Sequence, residues 1–74
     1  MPRSLEAIYR DIAQQHRTIA GNLRDAAVLP ETREGDRADY LHSAREYDRW
    51  AENNDALADA AARSKPLKAE EAKA

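Results

Sequence analysis

Seventy-four residues with twelve Lys or Arg, fourteen Asp or Glu and a formal net charge of −2 make at most one small domain. The absence of Cys excludes disulfides and thiolate metal sites, and the near-balanced charge gives no general pull toward nucleic acid or anionic lipid. Sixteen Ala inflate the apolar content. The larger apolar residues are three Ile, six Leu, one Val, one Trp and three Tyr, so the core is short of volume and the chain is pressed toward oligomerisation.

Ser4 is a good N-cap, and Glu6 complements the helix dipole in the first turn. Leu5, Ile8, Ile12, Ile19 and Leu23 then follow at helical intervals, with Ala20 and Ala27 beside them. A first helix is expected over residues 5–28. Gly21 interrupts it at roughly 1 kcal/mol relative to Ala, unless close packing needs it. Pro30 ends it, and residues 30–35 read as the connection.

Thr32 and Asp36 are both candidate caps for the second helix. Asp36 is preferred because Gly35 sits naturally just outside a helix. A helix over 36–63 carries Tyr40, Leu41, Ala44, Tyr47, Ala51, Leu57, Ala58 and Ala61 on one broad face, with Trp50 at its edge. Ser64, Lys65 and Pro66 are expected to break it, leaving 65–74 as a flexible charged tail after a domain of residues 1–64.

A short connection between helices of similar length favours an antiparallel hairpin, in which residues whose numbers sum to about 65 lie opposite each other. The expected fold class is all-α: a two-helix hairpin dimerising into a four-helix bundle. Leu5, Ile8, Ile12, Ile19, Leu23, Leu41, Tyr47 and Leu57 are the expected core and dimer residues. Gln15 and His16 occupy the place of a large residue in the first stripe. They come near Tyr47, Trp50 and Asn54, either as a buried polar layer or reaching solvent.

Arg3, Arg10, Arg17 and Arg24 recur every seven residues, a row placed on the side away from the Ile stripe. Residues 31–59 hold nine acids against four Arg. The Arg row can dock an acidic partner, a phosphate backbone or the acidic helix of another subunit. A solvated exterior with local pairs such as Glu6 to Arg10 accounts for the same spacing. Trp50 with Glu46, Asp48 and Glu52, or else Arg10, Arg17 and Arg24, is the expected partner-binding surface.

Asp39, His42 and Glu46 have helical metal-ligand spacing, but the facing part of the first helix offers Leu23, Arg24 and Gly21, and His16 is too far away to complete a site. Ser4, Ser43 and Ser64 lack a neighbouring base, and the two Gly form no phosphate loop. No catalytic residue, cofactor or metal is expected. No segment has the length of a membrane span and no apolar leader is seen, so a cytoplasmic location is expected. The chain reads as a non-enzymatic helical-hairpin dimer that binds and modulates a protein partner, in the manner of small bacterial or phage accessory proteins. Its rival is a small helical dimer binding nucleic acid through the Arg row.

Overall fold

The computed structural model describes the backbone of residues 3–73 and the side chains through Ser64. It contains two helices, α1 (Leu5–Ala27) and α2 (Glu34–Lys73), packed against each other as an all-α hairpin. The Ser4 hydroxyl accepts from the Ala7 amide at 3.1 Å, the cap that the sequence calls for.

The connection is fixed by the carbonyls that α1 leaves unpaired at its C-terminus. Val28 N–H donates to Asp25 and Leu29 N–H to Ala26. The Thr32 hydroxyl also donates to the Ala26 carbonyl, at 2.5 Å, and so holds the loop against the end of α1. Arg37 reaches back across the loop. Its Nε donates to the Ala27 carbonyl at 2.6 Å and its guanidinium also meets the Thr32 carbonyl. One side chain of α2 thus ties down both the end of α1 and the loop.

These bonds account for a corrected boundary. α2 starts at Glu34, not at Asp36, with the Arg37 amide donating to the Arg33 carbonyl at 2.8 Å. Gly35 lies inside the first turn, and no described residue has a positive φ. Glu34 and Asp36 face the dipole of that turn. At the other end, the helix runs through Pro66 to Lys73, whereas a break at Ser64–Pro66 was expected. Proline's fixed φ is compatible with a helix although it lacks the N–H for the bond one turn back, and the Ala, Glu and Lys residues after it are strong helix formers. The expected flexible tail falls on residues whose side chains lie outside the described set.

The buried positions are small. Ala13, Ala20 and Ala27 on α1, and Ala44, Ala51 and Ala58 on α2, are fully buried, and no large side chain among the described residues is. Both rows step by seven residues, so each helix turns one continuous methyl stripe toward the other. The seam of the single hairpin is therefore alanine, with the residues expected for the core and dimer beside it. Ile8, Ile12, Leu23 and Tyr47 are half-buried, while Leu5, Ile19, Leu41 and Leu57 are exposed. On a helix turning about 100° per residue, the Ile stripe lies about a quarter turn from the Ala row. The helices face each other through the Ala row because methyl groups let their backbones approach closely, and the large side chains then flank the seam.

The chain extends 61 × 21 × 10 Å, the length of α2 by two helices by one. A single layer of helices has two open faces, whereas stable domains bury an apolar surface between two layers.

Two adjacent residues of α1 test this packing. A methyl group at Gly21 meets nothing within 4 Å. Gly21→Ala should therefore raise unfolding stability by up to about 1 kcal/mol, read from urea titration of helical circular dichroism. Ala20→Leu drives a larger side chain into the seam and should lower it by about 1–3 kcal/mol in the same titration.

Candidate interaction surface

The Ala rows divide the remaining side chains between the two faces of the hairpin. On one flank of α1 stand Arg10, Arg17 and Arg24, and on the same flank of α2 stand Asp48, Asp55 and Asp59. The two sets meet across the seam. Arg10 pairs with Asp59 at 3.0 Å, Arg17 with Asp55 at 2.5 Å, and Arg24 with Asp48. Side chains lean toward the N-terminus of their own helix, so long pairs in an antiparallel hairpin join residues well apart in level.

Arg10 also holds Glu6 at 3.0 Å, one turn back on α1. Arg3, below the ladder, pairs with Asp11. The hydrogen bond that Arg10 donates to Asp59, and then those it donates to Glu6, raise Arg10 above the usual guanidinium pKa. Asp55 does the same for Arg17, with lesser help from Asp48 and Glu52. These pairs are largely solvent-exposed, so they set register and flank identity more than they add stability.

The opposite face is apolar. Leu5, Ile8, Ile12 and Ile19 of α1 lie on the same side as Trp50 and Leu57 of α2. Leu5 is 49% exposed, Ile19 39%, Trp50 44% and Leu57 48%. Between the helices on this side, the His16 ring lies 5.6 Å from Tyr47 and 5.9 Å from Trp50, which are themselves edge-to-face at 5.1 Å. These contacts match the expected approach of His16 to Tyr47 and Trp50. His16 Nδ1 is buried there without a hydrogen-bond partner. An orphaned polar atom of this kind costs about 1–3 kcal/mol, a defect at the centre of an otherwise apolar cluster.

The expected partner-binding residues are therefore split between surfaces. Arg10, Arg17, Arg24 and Asp48 are engaged in the ladder, and Glu52 lies on that side, within electrostatic reach of Arg17. Trp50 belongs to the opposite face. Positions 48 and 50, or 50 and 52, are about 200° apart around a helix and cannot form one patch. Glu46 sits at the outer rim of the apolar face, with Arg49 at 3.7 Å and His42 at 3.9 Å. The Arg row lies on the side away from the Ile stripe, as expected, and there it flanks the seam and pairs with the aspartates of α2.

Asp11, Gln14, Gln15, Thr18 and Ile19 line a shallow depression on the outside of α1. All five come from one helix, so it encloses nothing. Among the described residues no three His, Asp or Glu gather as a metal site, and no helix is long and apolar enough to cross a membrane. No protein-family model matches the chain, and no curated protein or solved structure is significantly similar to it.

The ladder predicts a charge-swap result. Arg17→Asp or Asp55→Arg alone should lower the midpoint of thermal unfolding at low salt, and the double exchange should recover most of the loss. Added salt should shrink both effects.

Proposed function

We propose that the chain is a non-enzymatic helical-hairpin interaction module that self-associates and binds and modulates a protein partner. The observation that carries this reading is the contrast between the two faces. One is closed by Arg–Asp pairs, and the other exposes Leu5, Ile19, Trp50 and Leu57 along its length. A contiguous apolar face on a small chain marks a contact surface, and a half-exposed Trp at its centre is the kind of residue on which binding energy concentrates.

The nucleic-acid reading is less well supported. Arg3, Arg10, Arg17 and Arg24 each meet a carboxylate of the same chain, so every phosphate contact would first have to displace an existing pair.

The test is affinity capture with three baits: the native chain, Trp50→Ala, and a ladder-face variant, Glu52→Ala. A specific protein partner should bind the native and Glu52→Ala chains alike and Trp50→Ala at least about tenfold more weakly. Equal retention by all three baits overturns the assignment of the apolar face.

A further inference from the structure

We infer that the apolar face is covered by a second copy of the same chain, stacked face to face to give a four-helix bundle. This rests on the interaction-module reading and names the first occupant of its surface.

The area is the first argument. The chain exposes 5703 Å². A compact monomer of 8.3 kDa should expose about 4,600 Å². The excess, roughly 1,100 Å², belongs to an elongated single layer of two helices, including the stretch of α2 that runs past α1, and leaves one flank uncovered. Only alanine is fully buried inside the hairpin; Ile8, Ile12, Leu23 and Tyr47 are half-buried, and Leu5, Ile19, Trp50 and Leu57 still face solvent.

Spacing is the second argument. Ile12 and Ile19 on α1 are seven residues apart, as are Trp50 and Leu57 on α2. Both columns repeat with the period of the Ala rows beneath them, the condition for meshing with further helices of the same period. A second hairpin brings two such columns in matching spacing.

Charge is the third. The centre of the face, Ile12, Ile19, Trp50 and Leu57, carries no charged side chain, so two copies stacked on it set no like charges against each other there. At the rim, Glu46 and Arg49 stand together with opposite sign, which lets a two-fold axis set each against its complement. The ladder face, in contrast, would have to desolvate several ion pairs to self-associate.

The experiment is absolute mass by light scattering on the full chain over a dilution series, with Trp50 fluorescence followed on the same samples. The expected mass is twice 8.3 kDa, and dilution to monomer should shift Trp50 emission to the red and raise its quenching by acrylamide. Ile19→Asp should weaken the dimer at least 100-fold, whereas Ala56→Glu, on the outer side of α2, should leave it unchanged. Should Ile19→Asp fail to fold, the fluorescence series on the native chain still decides the matter. A native chain that is helical and monomeric at every concentration overturns the second copy. The interaction-module reading then survives or falls separately, on the capture comparison. A dimer whose dissociation leaves Trp50 emission and quenching unchanged overturns the choice of face.

Discussion

Everything in this hairpin follows from the two alanine rows along its seam. Ala13, Ala20 and Ala27 meet α2, and Ala44, Ala51 and Ala58 meet α1, so the helices approach as closely as methyl groups allow. Burying alanine costs no side-chain rotamer entropy, but each methyl contributes little hydrophobic free energy. The seam is narrow and specific, and it cannot by itself hold a large apolar load. That load is displaced to the flanks, where it is either neutralised by charge pairing or left open.

The flanks are unequal. Arg10, Arg17 and Arg24 close one of them against the aspartates of α2, which fixes the sliding register of the helices and leaves that face hydrophilic. The other keeps Ile19, Trp50 and Leu57 in solvent around the His16–Tyr47–Trp50 cluster. A molecule with one finished and one unfinished face has a built-in direction of association. This asymmetry supports the interaction-module reading more firmly than any single residue does.

Much of the architecture is legible in the sequence. Ser4, the Ile spacing, Pro30 and the short connection announce two antiparallel helices, and the proximity of His16 to Tyr47 and Trp50 follows from the length of the loop. The facing direction of the helices is not legible by the same reasoning. Ranking residues by size centres the seam on Ile8, Ile12 and Ile19, whereas close backbone approach selects the smallest residues. The quarter turn between those two choices brings the Arg row, on the side away from the Ile stripe, to the exposed edge of the seam, where the aspartates of α2 meet it. The start of α2 was missed for a different reason. Gly35 reads as a helix boundary only if nothing stronger fixes the chain, and the bonds from Thr32 and Arg37 to α1 do so. At the far end, Pro66 reads as a stop although its backbone geometry is compatible with a helix.

The short loop carries a consequence for how the chain finds this shape. Arg37 binds the Ala27 carbonyl only ten residues away, so the first tertiary link closes a small ring and loses little chain entropy. From there the seam can be zipped one heptad at a time, each step adding contacts only slightly more distant in sequence. Topologies this local assemble in microseconds to milliseconds. Speed of that order leaves the apolar flank as the slow variable. Under the inferred pairing of two copies, the rate of assembly then depends on how often two hairpins collide and not on how fast either one forms.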